Sequence, residues 1–288
     1  MTTALPLFEP TTAQPLNPAF DSELLSAIED ASLNASAPPE QIWLDGWLVR
    51  TCPAKAKRAR SINAVAAGRR SVRDKLAEAA DLYRQAGLPC YFRVTPFSQP
   101  ADLDAQLATA GWVAEDDTRV MLKPLMPLMP PMPLIGPSDP ANDRRWPPGT
   151  ELKRMTPEDY AQAVGALRGS PASERDAHAR RLTASPVPYR AWALVNTADG
   201  SMLAGGQSAQ QGDKVGLYDV FTASSHRGLG LAGLLCEHML SQAARQAARW
   251  AYLQVEAHNH PARAVYRRLG FVDGYGYHYL ERPSAASP

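Results

Sequence analysis

"SSHRGLGLAGLL", residues 224–235, sets three glycines and an arginine between a β-like run and an amphipathic one. A strand that breaks into such a loop and then a helix leaves several amides unpaired at the helix N-terminus. Those amides and the helix dipole make an anion site. Gly228 and Gly230 remove side chains that would hold a phosphate off the backbone, and Arg227 adds a positive charge at the mouth. A plain strand-to-helix turn is the alternative. A Walker loop is excluded, because Leu231-Ala232 stands where Lys-Ser or Lys-Thr is required. A dinucleotide fingerprint needs a parallel βαβ unit, and a meander of strands precedes this loop instead.

Working outward, the second half opens with the strand "TELKRM" and the helix start "TPED", with Thr156 as cap and Pro157 in the first turn. "RAWALVN", the turn "TADG", "SMLAGGQSAQ" and "KVGLYDVFT" read as the meander. After the loop, Leu231, Leu234, Leu235 and Met239 share one helical face. "YLQVEAH" is a strand, "HPARAVYRRLG" a short helix, and "FVDGYGYHYLERP" a final pair of strands or one bent strand.

The first half ends the same way. "YFRVTPF" echoes "YLQVEAH", "PADLDAQLATAGW" echoes "HPARAVYRRLGF", and "VAEDDTRVMLKPL" closes like the last strands. Repetition at this scale implies two related α+β domains. Between them, "KPLMPLMPPMPLIGPSDPANDRRWPP" cannot be a helix or an inner strand, since proline lacks an amide donor and restricts its predecessor. It reads as an apolar linker lying against one or both domains. The expected boundaries are a tail at 1–17, a first domain at 18–123, the linker at 124–149, a second domain at 150–283 and a tail at 284–288.

The net charge of +1 supplies no bulk pull toward nucleic acid or an anionic membrane. No apolar run is long enough to span a bilayer, and the N-terminus lacks the basic-then-apolar order of a signal peptide. Cys52, Cys90 and Cys236 are far apart and show no ligand spacing, so thiols in a reducing compartment and no metal are expected. A soluble cytoplasmic protein, monomer or homodimer, follows.

Arg227-Gly228-Leu229-Gly230-Leu231-Ala232 resembles the Arg/Gln-x-x-Gly-x-Gly/Ala signature of the Gcn5-related N-acetyltransferase (GNAT) superfamily. "YLQVEAHNHPARAVYRRLGF" resembles that superfamily's next motif: a strand, then Asn259, Ala262, Tyr266 and Leu269-Gly270-Phe271. The two motifs stand in the expected order. The resemblance covers about residues 150 to 283, and the first half resembles a degenerate copy. It implies tandem GNAT-like domains, each a mixed, mostly antiparallel sheet flanked by helices, with the donor site in a V-shaped opening between two strands.

The resemblance further implies an N-acetyltransferase that moves an acetyl or acyl group from acetyl-coenzyme A to a primary amine of a small molecule or peptide. A coenzyme A-binding sensor or scaffold without turnover is the other reading. The amides of Gly228 to Gly233, with Arg227 nearby, would take the pyrophosphate, and those near Phe221 and Thr222 would meet the thioester carbonyl. Tyr266 stands at the superfamily's acid position, and Asn259 would bond the pantetheine or cap the helix. Asp219 and Glu256 are the candidate bases, and strand alternation leaves open which face Asp219 takes. In the first half Leu107 stands where Tyr266 does and Ser98 where Asn259 does, and Gly68 is the loop's single glycine. That copy is therefore expected to be non-catalytic, shaping the acceptor pocket or bracing the second domain. Its basic run "AKAKRARS" reads as a solvated strand edge, with binding of an acidic group as the alternative. "PASERDAHARRLTASPVPY" is expected to form part of the acceptor pocket.

Overall fold

The computed structural model describes residues 15–125 and 146–282. In chain order, the first half contains α1 (Ser22–Ala35), β1 (Gln41–Leu44), β2 (Trp47–Arg50), β3 (Ser61–Ala64), α2 (Val72–Ala86), β4 (Tyr91–Val94), α3 (Leu103–Thr109) and β5 (Val113–Pro124). The second half contains β6 (Thr150–Met155), α4 (Pro157–Leu167), α5 (Ala172–Thr183), β7 (Tyr189–Asn196), β8 (Met202–Gln211), β9 (Lys214–Thr222), α6 (Leu231–Arg245), β10 (Trp250–Glu256), α7 (His260–Arg268) and β11 (Val272–Glu281). The last stretch is thus one strand. Residues 1–14 of the expected tail, 126–145 of the linker and 283–288 lie outside the described residues. Among the described residues no helix is long and apolar enough to cross a membrane.

Local chemistry sets the helix ends. Thr156 Oγ1 accepts from the Asp159 amide at 3.0 Å, and Ser71 Oγ accepts from the Asp74 amide at 3.1 Å. Gly87, at φ 66°, ends α2 with its amide on the carbonyls of Arg84 and Tyr83.

All eleven strands join one sheet, in the order β1-β2-β3-β4-β11-β5-β10-β9-β8-β7-β6. Each half contains one parallel crossover, β3-α2-β4 and β9-α6-β10, in an otherwise antiparallel sheet. At the centre the halves exchange their closing strands: β11 pairs with β4, β5 pairs with β10, and β5 and β11 pair with each other. The boundaries at 123 and 150 therefore divide the chain but not the sheet.

The exchange fuses the cores. On one face Leu25 and Ile28 of α1 pack with Tyr218, Tyr252, Tyr275, Tyr277 and Tyr279, drawn from strands of the second half. Beneath them Arg93 pairs with Glu29, at 2% and 7% side-chain exposure, and the Tyr275 hydroxyl donates to Glu29 Oε2 at 2.6 Å. Burial pushes the Glu29 carboxyl up, but the charge and hydrogen bonds of Arg93, with the bond from Tyr275, outweigh it and hold it below its ordinary value. The other face carries α6 and α7, where Leu235, Met239, Leu253, Tyr266 and Phe271 share a cluster.

The linker's described ends are anchored. Leu125 is buried and donates its amide to Arg249 O at 2.7 Å, and Trp146 packs on Leu231 and against His238.

Candidate active site

The parallel pairing of β9 and β10 runs only from Lys214–Leu217 against Trp250–Leu253. Beyond it β9 continues to Thr222 on β8, whereas β10 continues to Glu256 on β5. The two strands part, and a cleft of about 530 Å3 opens between them. It is lined from both sides of the sheet: Leu217, Val255 and Tyr266 belong to the α6 side, and Tyr218, Tyr277 and Tyr279 to the α1 side.

Five of the sequence-nominated residues line this cleft: Asp219, Glu256, Asn259, Ala262 and Tyr266. Tyr266 is buried on α7, with its ring edge-to-face with Phe271 at 6.1 Å. Burial, and secondarily Cys236, raise its phenol well above the ordinary tyrosine value, so it holds its proton. Asn259 caps α7, its Oδ1 accepting from the Ala262 amide at 3.2 Å. Glu256 is 54% exposed at the rim, 3.3 Å from His258 Nε2.

Asp219 sits on a β-bulge opposite Gly205–Gln207, at φ 50°. The bulge breaks the period of two that would otherwise assign the residue to a face. Its carboxylate meets His178 Nε2 at 3.1 Å, Arg168 Nη1 at 3.2 Å and Gln207 Nε2 at 3.2 Å. Its carbonyl accepts from Tyr160 Oη at 2.7 Å. Burial alone would push this carboxyl up; His178, Arg168 and Arg181 overcome that and hold it far below the carboxylate range. A carboxylate held so firmly ionised is a weak base. Its geometry suits holding His178 rather than taking a proton.

Phe221 and Thr222 end β9 against β8, with Phe221 packed near Tyr160 and Val164 under the Arg168 guanidinium. The following loop carries Arg227, Gly228, Leu229 and Gly230, all exposed, with Gly228 and Gly230 left-handed at φ 80° and 78°. Leu231, Ala232 and Gly233 form the first turn of α6. Among the described residues no carbonyl accepts from the amides of residues 228–233, while Leu234 begins the helical ladder by donating to Gly230 O. The unpaired row that an oxyanion requires is present.

The corresponding loop of the first half, between β3 and α2, is filled from within. Asp45 Oδ2 accepts from the amides of Arg69 at 2.8 Å and Arg70 at 2.7 Å. These bonds, that from Arg70 foremost, hold its carboxyl below the ordinary value. Gly68 has no room for a side chain, since a Cβ there would lie 2.0 Å from Asp45 O. Leu107 is fully buried, and Ser98 Oγ is engaged with the Thr95 amide.

The basic run departs from its reading as a solvated strand edge. Lys57–Ala59 forms a 3-10 turn, and Lys57, Arg58 and Arg60 face into the cleft. Lys57 bonds Glu115 and Asp116, each at 2.5 Å, and Arg58 lies 5.8 Å from the Tyr218 ring centroid. Sequence reasoning also missed His178, Arg168 and Arg181. His178 and Arg181 fall in the stretch expected to form part of the acceptor pocket, whereas Arg168 lies before it, and no periodicity aims any of the three side chains at Asp219. Among the described residues no group of three or more potential metal ligands occurs.

A family model described as "Probable histone acetyltransferase Rv0428c C-terminal" matches residues 23–280. No curated relative matches the chain. Among solved structures, a GCN5-related N-acetyltransferase from Kribbella flavida aligns over 90% of this chain and 96% of its own, with TM-score 0.58 and 16% identity. A tandem GNAT protein from the clavulanic acid biosynthesis pathway aligns over 76% and 73%, with TM-score 0.56 and 20% identity. A functionally unknown conserved protein from Staphylococcus epidermidis aligns over 86% and 95%, with TM-score 0.56 and 10% identity. These likenesses show a GNAT-type fold, whereas the family match spans both halves and the exchanged strands; the chain belongs to that family.

Proposed function

We propose that the chain is an acetyl-coenzyme A-dependent N-acetyltransferase whose chemistry lies in the second half. The observation that carries this reading is the cleft, where a pair of strands parts beside Tyr266; the open amides of residues 228–233 follow β9 in the chain but do not line the cleft themselves. The donor's pyrophosphate would rest on the amides of Gly228, Leu229, Gly230, Leu231, Ala232 and Gly233, with Arg227 beside them. Bound there, it would supply an acyl thioester, from which an amine takes the acyl group as a C–N bond forms, a C–S bond breaks and a thiol leaves.

The chain's residues supply the rest. Amides at the end of β9, near Phe221 and Thr222, offer donors to the carbonyl oxygen as it gains charge. His178 serves as base: the tautomer that donates Nε2–H to Asp219 keeps its lone pair on Nδ1 for the amine's proton. Asp219 orients that ring, and Glu256 at the rim relays protons to solvent. Tyr266 keeps its proton until a thiolate develops beside it and then donates to it. Asn259 and Ala262 shape the wall for the donor's arm.

The first half completes the acceptor side instead of binding a second donor, because Asp45 already occupies its amides. Isothermal calorimetry with acetyl-coenzyme A should give one site per chain, and free thiol should appear with a member of an amine panel. Absence of heat sinks the reading; heat without turnover across the panel favours a binding module.

A further inference from the structure

Beside the cleft lies a second cavity of about 170 Å3 at the junction of the halves. The first half's Ala54–Arg58 loop forms one wall, and α4 and α5 form another. Ala177 of α5 packs against Cys52, Ala54 and Ala59, which fixes the loop to the helix. The cavity shares Arg58, Arg168, Tyr218 and Asp219 with the cleft, so it opens where β9 leaves β10.

Its charge is unbalanced. Arg58, Arg168, Arg175 and Arg181 face two carboxylates, Asp219 and Glu174. Asp219 is already engaged by Arg168 and His178. Arg181 is 5% exposed, and its Nε and Nη1 are shut from solvent with no hydrogen-bond partner. Among the described residues no carboxylate forms an ion pair with Arg181 or Arg58, whose nearest marked contacts are the rings of Tyr189 and Tyr218. A buried guanidinium with unused donors is costly unless an anion completes it. A planar fork of N–H groups suits a two-oxygen anion best.

We propose that this cavity is an anion subsite for the acceptor: the substrate carries an oxyanion, a carboxylate or a phosphate, in addition to its amine. Arg181 and Arg58 hold the oxyanion while the amine lies toward Asp219 and His178. The small volume admits a group of a few heavy atoms. A basic peptide, by contrast, would bring its flanking charges against four arginines. This assignment rests on the acyltransferase reading for its amine half but not for its anion half.

Calorimetry on the full chain, with and without coenzyme A, tests it. The probes are ω-amino carboxylates from glycine to 6-aminohexanoate, the matching ω-aminophosphonates, and n-alkylamines of equal length. At least one acid should bind about tenfold or more tighter than its alkylamine, as expected for hydrogen bonds to a charged group. Arg181→Gln and Arg58→Gln should each reduce that preference to under about threefold, and Arg181→Gln, whose residue lies outside the cleft lining, should leave the acetyl-coenzyme A affinity unchanged. Tighter aminophosphonates assign a phosphate source and tighter amino carboxylates a carboxylate source. Alkylamines binding as well as every acid, or a preference surviving in both variants, overturn the subsite. If Arg181→Gln does not fold, Arg58→Gln on the Ala54–Arg58 loop decides. Acid binding without donor binding would retain the anion site and discard the acyltransferase reading; the reverse would discard the subsite alone.

Discussion

Replacing Tyr266 by phenylalanine removes one oxygen and leaves the packing in place. The ring stays edge-to-face with Phe271 in the α6-side cluster. Among the described residues no group is hydrogen-bonded to the Tyr266 hydroxyl, so stability should change by less than about 0.5 kcal/mol. What is lost is a donor to a developing thiolate. Such a charge-assisted bond contributes about 1.5–3 kcal/mol, equivalent to a rate factor of roughly 10 to 150. Proton delivery by a positioned acid contributes about 10²- to 10⁴-fold. The two ranges overlap near 10²-fold, the expected fall in kcat. The assay is free-thiol release at saturating donor and acceptor, with calorimetric donor affinity and thermal melting measured on the same preparations. Donor Kd and Tm should hold. A kcat within about threefold of the parent would refute the role, given the size expected of such acids. A fall in kcat matched by a fall in Tm would show that the hydroxyl matters to the fold instead.

Gly230→Ala forces a side chain to adopt φ 78° with open space around it, so the penalty is conformational, about 1–2 kcal/mol. It should appear in both urea unfolding and donor affinity. Arg93→Met leaves Glu29 buried without its partner and should lower unfolding free energy by about 3–5 kcal/mol, measured by urea titration. Glu29 and Asp219 both have depressed folded-state pKa values, so their stabilisation is complete above the unfolded carboxylate value and is lost as pH falls through the folded one. Tm should therefore decline steadily below about pH 4, and Asp219→Asn should flatten that decline. Residues 15–125 and 146–282, expressed separately, should each fail to give a cooperative melt, because each lacks its partner's closing strand. Co-expressed, they should form one complex with a single transition by calorimetry.

The sequence made the local chemistry legible. Thr156 and Asn259 cap their helices as read, and the glycine loop, the parted strands and the Tyr266 helix fall where the motifs place them. These signals lie within a few residues of one another. The strand exchange was not legible, because the alternation of β5 and β11 marks them as strands without naming a neighbour. The face of Asp219 was hidden for another reason: strand alternation assumes an unbroken ladder, and the bulge opposite Gly205–Gln207 breaks it there. The basic run read as solvent-facing because its counter-charges, Glu115 and Asp116, lie far along the chain. His178 and Arg181 acquire meaning only once α5 is laid over the bulge.

Asp45 gives the duplicated fold a thermodynamic asymmetry. A site whose anion is covalently part of the chain is saturated at every concentration of free ligand. The other loop, with two left-handed glycines and open amides, gains order only by mass action, as RT ln(1 + [L]/Kd). On the proposed reading, ligand-induced stabilisation will be confined to the second loop, while the first remains permanently in its occupied form. Hydrogen exchange across the two loops should then differ most when donor is scarce and converge as donor rises. The first copy thus serves as an internal reference for the occupied state of the second.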